Sequence, residues 1–207
     1  MYNFQKSIIL YFLICTFNLS SLLGTGLVKS VDYQSIEKKV IKETTFKENG
    51  VKIQYNIKSS LDKEIERIKK IYIKENKIKE TEDDSHFYIV GDKNIEVNLW
   101  CEDGIVFVEA VSINNDKDIA TISLKNDLKK MQNKKTNSVK YFEYYKGRLN
   151  SINSLKEIKE EEGFTKVHNG YVGNYELESG SKISYGIMEY DTGVYVIVGT
   201  PIIFTTY

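Results

Sequence analysis

Apolar positions from residue 31 onward follow two alternating periods. Apolar residues three or four positions apart predict helices, and apolar residues at every second position predict half-buried strands. The helical spacing predicts helices at about 32–46, 61–72, 118–131 and 151–162. The strand spacing predicts strands at 51–57, 86–90, 95–101, 105–111, 139–146, 171–177, 183–190, 194–198 and 202–206.

Turn signals separate these elements. Asn49-Gly50 is expected to end the first helix, and Gly91-Asp92 and Asp103-Gly104 are strong hairpin signals. Asp191-Thr192-Gly193 marks a turn in the second half of the chain. Pro201 cannot donate a backbone hydrogen bond, so it is expected at the start of a strand or on an edge strand.

The order of elements predicts the fold class. Strand meanders with one apolar face and amphipathic helices between them indicate an α+β fold, with helices on one side of an antiparallel sheet and the other side open. Residues 31–133 and 134–207 each contain a strand, a helix and a meander, and 104–108 aligns with 193–197 without a gap. We therefore expect one domain over 31–207 built by internal duplication. The alternative is that two unrelated hairpins look alike.

Residues 1–30 have the composition of a secretory signal peptide. Lys6 precedes an apolar run at 8–17, and Gly24-Thr25-Gly26 leads into a polar chain. A retained membrane anchor and a buried core helix are the alternatives. A large side chain precedes Cys15, whereas lipoprotein signals have a small residue there, so lipidation is not expected. We expect an extracytoplasmic protein, either secreted or anchored at the cell surface.

The charge balance bears on the partner. The full chain has 29 Lys and Arg residues and 29 Asp and Glu residues. Residues 1–30 contain Lys6, Lys29 and no acidic residue, so the remaining chain has 27 basic and 29 acidic residues, a net charge of −2. Nucleic-acid-binding proteins usually carry an excess of basic residues that contacts phosphates. The composition therefore disfavours a nucleic-acid partner.

Residues that could support catalysis or metal binding are few. His86 follows Asp83-Asp84, but this spacing matches no established metal motif, and His168 is expected in an exposed turn. Cys101 would need a base such as His86 beside it to act as a nucleophile. Its strand parity places it on the buried face, where a thiol is inert. We therefore expect no enzyme activity, no metal site and no cofactor.

The strongest positive signal is a candidate binding face on the predicted sheet. Its candidate ligand-binding residues are Lys52, Asn56, Asn98, Trp100 and Tyr144. The first four alternate with core positions, and an exposed Trp among amides and charges is unusual. Aromatic residues occupy both faces of 141–145, so at least one is expected to point outward. Such surfaces are typical of glycan, peptide or protein binding. The alternative is that Trp100 packs under a helix or against the N-terminal segment.

The C-terminal third carries a family resemblance. The segment 192–203, together with Gly163-Phe164-Thr165 and Gly170-Tyr171, resembles the YwmB family of Firmicutes. These are exported proteins of unknown function with a fold similar to that of the TATA-box-binding protein. The resemblance covers most of the mature chain and is strong only over its last third. It implies a pseudo-duplicated saddle, with one concave antiparallel sheet and helices on the convex back, and it carries over no catalytic residues.

Two functions follow as expectations. The first is an exported, non-catalytic binding or interaction domain that acts at the cell surface or wall through the open sheet face, with a protein or a cell-wall glycan as partner. The second is nucleic-acid binding through the same concave sheet, by analogy with the fold. The second would need outward-facing basic residues, and the chain has only two arginines, Arg67 and Arg148.

Overall fold

The computed structural model describes residues 33–72, 79–83, 86–90, 95–150, 164–177 and 180–204. The predicted signal segment, the predicted helix at 151–162 and the predicted turn at Gly91-Asp92 lie outside these ranges. The fold is α+β, with an antiparallel sheet and, in the described ranges, three helices. The chain divides into two compact units, one spanning Glu48–Tyr145 and the other Met1–Lys47 with Lys146–Tyr207.

The helices are α1 (Tyr33–Glu43), α2 (Leu61–Tyr72) and α3 (Thr121–Lys129). The strands are β1 (Thr44–Ile57), β2 (Lys79–Asp83), β3 (His86–Val90), β4 (Ile95–Glu102), β5 (Ile105–Asn114), β6 (Thr136–Leu149), β7 (Phe164–Val167), β8 (Gly170–Glu176), β9 (Lys182–Tyr190) and β10 (Gly193–Thr200). Most predicted elements are confirmed within a few residues at each end. No helix in the described ranges has the length and apolar character needed to cross a bilayer.

The predicted end of the first helix is wrong. Helix α1 stops at Glu43, and β1 begins at Thr44 and continues through Asn49-Gly50. The hydroxyl of Thr44 donates to the carbonyl of Val40 at 2.8 Å, which satisfies one of the carbonyls left open at the helix end. The β-branched and aromatic run that follows, Thr45 and Phe46, favours a strand.

Three strand predictions differ from the structure. The sequence pattern does not predict β2 and β7, because β2 is entirely polar and β7 has only four residues. Such strands form through backbone pairing with a neighbour, which leaves little hydrophobic pattern in the sequence. The predicted strand at 202–206 is wrong over its described part, since 201–204 has no regular structure. Pro201 directly follows the end of β10 instead of starting another strand.

The unit Glu48–Tyr145 has a sheet whose two faces differ. Its strand order is β2-β3-β4-β5-β1-β6, and β5 joins β4 through the predicted turn, where Asp103 and Gly104 have φ values of +50° and +73°. Side chains of β1, β4 and β5 alternate between buried and partly exposed. The buried side packs against α2 and α3, and its core includes Val51, Ile53, Ile57, Ile65, Ile68, Val97, Leu99, Val106, Val108, Leu124 and Leu128.

The second unit has a different burial pattern. Its strand order is β6-β10-β9-β8-β7, and β9 and β10 each contain six consecutive buried residues. Helix α1 packs on β10, and the hydroxyl of Tyr33 donates to the carbonyl of Val198 at 3.4 Å. Six buried residues in a row place buried side chains on both faces of these strands, because side chains alternate along a strand. The strands β9 and β10 therefore differ from β1, β4 and β5 of the unit Glu48–Tyr145, because they have little exposed surface on either face.

Candidate binding face

The candidate binding residues of the first unit share one side of its sheet. We call this side the open face and define it by Lys52, Gln54, Asn56, Asn98, Trp100, Phe107 and Glu109. In the strand register Asn56 lies opposite Phe107, which lies opposite Trp100. In the next row Gln54 lies opposite Glu109, which lies opposite Asn98. Directly opposed residues point to the same side of a sheet, so β1, β5 and β4 together build this face.

The aromatic part of the open face is a stacked pair. The rings of Trp100 and Phe107 have centroids 5.5 Å apart and an interplanar angle of 13°. Both side chains are partly exposed, whereas the neighbouring Leu99 is fully buried on the side that carries the helices. Trp100 therefore does not pack under α2 or α3. Offset stacking holds both rings in a fixed orientation and leaves a flat apolar surface beside the amides of Asn56 and Asn98.

The charged part of the open face is internally paired. The amide of Gln54 donates to Glu109 Oε2 at 2.5 Å, and Lys52 Nζ lies 3.5 Å from the same oxygen. Lys52 Nζ also lies 4.7 Å from the centroid of the Phe142 ring. These contacts hold the lysine and the carboxylate in one arrangement and balance their charges. The face is consequently polar and aromatic, without an excess of positive charge among these residues.

The expected outward position of Tyr144 is wrong. Tyr144 is fully buried, and its hydroxyl donates to Glu48 Oε1 at 3.1 Å. Its ring lies over Gly50, where a β-carbon would collide with it. The glycine inside β1 thus makes room for the tyrosine against the backbone, which is a common reason for a glycine in a strand. Tyr144 supports β1 from this side and is not accessible to a ligand.

The expected burial of Cys101 is also wrong. Cys101 is exposed although its strand parity matches that of buried Leu99. It is the second-last residue of β4, next to the turn at Asp103, where the strand end projects into solvent. In the register His86 pairs with Trp100, and Cys101 pairs with Val106. The register therefore does not place His86 directly opposite the thiol.

The remaining residues that could support catalysis or metal binding do not form a cluster in the described ranges. His168 lies in an exposed turn between β7 and β8, as predicted. In the described ranges no group of three or more His, Cys, Asp or Glu residues could hold a metal ion. Asp84, part of the weak metal signal beside His86, is outside those ranges.

Phe107 and Glu109 are functional candidates that the sequence reading omitted. A two-residue turn at Asp103-Gly104 places 102 opposite 105, and therefore 100 opposite 107 and 98 opposite 109. Counting outward from that turn would have identified both residues as neighbours of Trp100 and Asn98.

A buried polar cluster on the helix side was also not expected. Glu64 of α2 is 1% exposed and accepts hydrogen bonds from Arg67 Nε at 2.9 Å and from the hydroxyl of Tyr55 at 3.1 Å. Hydrogen bonding to Glu64 raises the pKa of the Arg67 guanidinium. Burial, and next the negative charge of Glu64, raise the pKa of Tyr55. Both effects favour a protonated tyrosine and a charged arginine, so the cluster is a fixed ion pair with a neutral donor.

No protein-family model matches the chain, and no curated protein matches it significantly.

Proposed function

We propose that this protein is an exported, non-catalytic binding domain that acts at the cell surface or wall through the open face. The observation that carries the proposal is the stacked pair of Trp100 and Phe107, partly exposed beside the amides of Asn56 and Asn98. Aromatic rings next to fixed amide donors are the usual way in which proteins hold polar ligands against a flat surface. Export rests on the signal-like composition of residues 1–30.

A cell-wall glycan is the partner that this chemistry fits best. A sugar ring has an apolar side that packs on an aromatic ring and hydroxyl groups that pair with amides. Gln54 and Lys52 already contact Glu109, so the amides of Asn56 and Asn98 are the groups best placed to bind hydroxyls. A protein that places a polar loop over Trp100 is the second candidate partner for the same binding function.

Nucleic-acid binding through this face has less support. The open face pairs Lys52 with Glu109, and Glu96 is exposed on the same side of β4. Arg67, one of the two arginines, is bound to Glu64 on the helix side. A phosphate backbone needs an excess of unpaired cations on the contacting face. The observed charges do not provide that excess.

We further propose that the chain is an internally duplicated relative of the YwmB family with the saddle fold that this implies. The strand order within each unit supports the duplication. In one unit β1 is followed by β5, β4, β3 and β2, and in the other β6 is followed by β10, β9, β8 and β7. In both, the first strand in the sequence lies beside the last, and the others follow in reverse order.

The binding proposal is tested by removing the open face while keeping the fold. We expect the double variant Trp100→Ala/Asn56→Ala to lose at least about tenfold in affinity for purified cell-wall glycan, because an aromatic anchor and an amide donor are removed together. The measurement is the fraction of protein that sediments with the glycan, with a circular dichroism melt to show that the variant folds.

The matched control is Ile122→Ala/Asn115→Ala, which removes an exposed apolar side chain and an exposed asparagine away from the open face. It should bind within about twofold of the wild type, as expected for surface substitutions. If the Trp100→Ala/Asn56→Ala variant sediments as the wild type does, the open face is not the site. If the wild type does not sediment with the glycan, the glycan is not the partner.

A further inference from the structure

The unit Glu48–Tyr145 contains a second candidate site, at the end of β1 on the side of the helices. It is a cleft of about 490 Å³. We call it the cationic cleft. Its charged lining residues are Lys58, Lys63, Arg67, Lys134, Lys135 and Glu64. Five cations and one carboxylate give the lining a net charge of +4, in a chain whose overall charge is zero.

Both oxygens of the one carboxylate in the cleft, Glu64, already accept hydrogen bonds. Glu64 Oε2 accepts from Arg67 Nε at 2.9 Å, and Glu64 Oε1 accepts from Arg67 Nη2 and from the Tyr55 hydroxyl. Arg67 Nη2 also donates to the carbonyl of Met131 at 2.6 Å. The guanidinium is thereby held in one position by groups behind it. In the part of the chain that the structure describes, its Nη1 atom has no protein acceptor, so this end remains for a ligand.

The lysines around the cleft are not neutralised by acids. Lys58, Lys63, Lys134 and Lys135 are exposed, and none of the described Asp or Glu residues forms an ion pair with them. Lys130, an exposed lysine just after α3, is by contrast paired with Asp127 at 2.5 Å. Four unpaired ammonium groups around one concavity repel each other, so an anion that binds them would relieve this repulsion.

Asn133 gives the cleft a fixed neutral donor. Its Oδ1 accepts from the backbone nitrogen of Lys135 at 2.7 Å, and its carbonyl accepts from the hydroxyl of Thr136 at 2.7 Å. These bonds fix the loop that carries Lys134 and Lys135. Among the described residues the Nδ2 group of Asn133 has no acceptor, so it remains available as a donor. Asn133, Lys134 and Lys135 thus form one wall of the cleft.

We propose that the cationic cleft binds a small ligand that carries two or more phosphate groups. Arginine and lysine are the usual hydrogen-bond donors to phosphate in proteins, and the contacts to Glu64 and Met131 hold the remaining Nη1 group of Arg67 in one orientation. A volume of about 490 Å³ suits a small molecule rather than a polymer. The cleft is lined by residues other than those of the open face, so it is a second site that does not depend on the binding function proposed above.

The test uses the full chain and sodium tripolyphosphate as the probe in isothermal titration calorimetry at low salt. The variant Lys134→Gln/Lys135→Gln removes two cations of the cleft, and it leaves Arg67 and the buried cluster in place. We expect wild type to bind one tripolyphosphate and the variant to bind at least about tenfold more weakly, as is usual when charged hydrogen-bond donors are lost.

The control Lys117→Gln/Lys129→Gln removes two exposed lysines elsewhere in the unit. It changes the net charge equally and should alter the affinity by less than about twofold, because charges farther from the site are screened. Equal weakening in both variants, or no binding to the wild type, would overturn the proposal. Tighter binding of a short single-stranded oligonucleotide than of tripolyphosphate would also overturn it, because a polymer would then be the occupant. Trp100→Ala should leave tripolyphosphate binding unchanged.

Discussion

Strands β5 and β10 have similar sequences and different surroundings. Each is rich in valine, and β5 follows the turn glycine Gly104 whereas β10 begins with the turn glycine Gly193. Yet β5 alternates between buried and partly exposed residues, whereas β10 has six buried residues in a row. The exposed positions of β5 carry Phe107 and Glu109, which belong to the open face. The corresponding side of β10 is covered. A similar strand therefore contributes to the open face in one unit and only to the core in the other.

The comparison is tested most strongly by placing one charge in each strand. Val196→Asp in β10 buries a carboxylate that has no partner, and we expect a loss of at least about 3 kcal/mol in the free energy of unfolding. Val111→Asp in β5 lies on the partly exposed side, opposite Lys52, and should cost about 1 kcal/mol or less. Urea denaturation followed by circular dichroism measures both. Equal losses would show that the two strands do not differ in the way described.

The pairing of β1 with the last residue of β5 involves two buried amides. Asn49 is 2% exposed, donates to the carbonyl of Ile119 at 2.9 Å and accepts from Asn114 Nδ2 at 2.9 Å. Asn49→Ala removes both hydrogen bonds from a buried site and should lower the free energy of unfolding by about 2 kcal/mol, since each bond contributes about 1 kcal/mol. The control Asn115→Ala, at an exposed neighbour, should cost less than about 0.5 kcal/mol. A loss for Asn49→Ala as small as that of the control would contradict this role.

The buried tyrosine of the first unit predicts a loss of stability in alkali. Burial raises the pKa of Tyr55, so the folded state keeps its proton where the unfolded chain, with a pKa of about 10, releases it. The unfolded state then binds fewer protons, and stability falls as the pH rises above about 10. One such group contributes up to about 1.4 kcal/mol per pH unit.

Tyr55→Phe should therefore show a shallower decline of stability between pH 10 and pH 11 than the wild type. The measurement is the urea midpoint at several alkaline pH values. Asn115→Ala, which removes no titratable group, is the control and should keep the wild-type slope. A Tyr55→Phe variant that declines as steeply as the wild type would show that Tyr55 is not the titrating group.

Much of the fold follows from local pattern, and the errors have a common cause. The strands with an alternating pattern were predicted because one face is buried against helices. The pattern failed at Asn49-Gly50, where a helix-ending signal in fact lies inside β1. There the asparagine serves a buried amide pair and the glycine makes room for Tyr144. These reasons depend on residues more than 60 positions away, which local rules do not include.

The candidate site was predictable in part for the same reason. Strand parity places Lys52, Asn56, Asn98 and Trp100 on one side of the sheet without reference to distant residues. The burial of Tyr144 depends on a contact with Gly50 on another strand, and the exposure of Cys101 depends on where the helices stop covering β4. The cationic cleft joins the end of β1, α2 and the loop before β6, so only the folded chain brings its lysines together.

Trp100 is the only tryptophan in the chain, so its fluorescence reports directly on the open face. The decisive measurement is the emission of the full-length protein during a titration with soluble cell-wall glycan fragments. The account predicts a saturable change in intensity and emission maximum, lost in Asn56→Ala/Asn98→Ala and kept in Lys134→Gln/Lys135→Gln. Emission that stays constant while the fragments bind would place the ligand elsewhere and contradict the central claim.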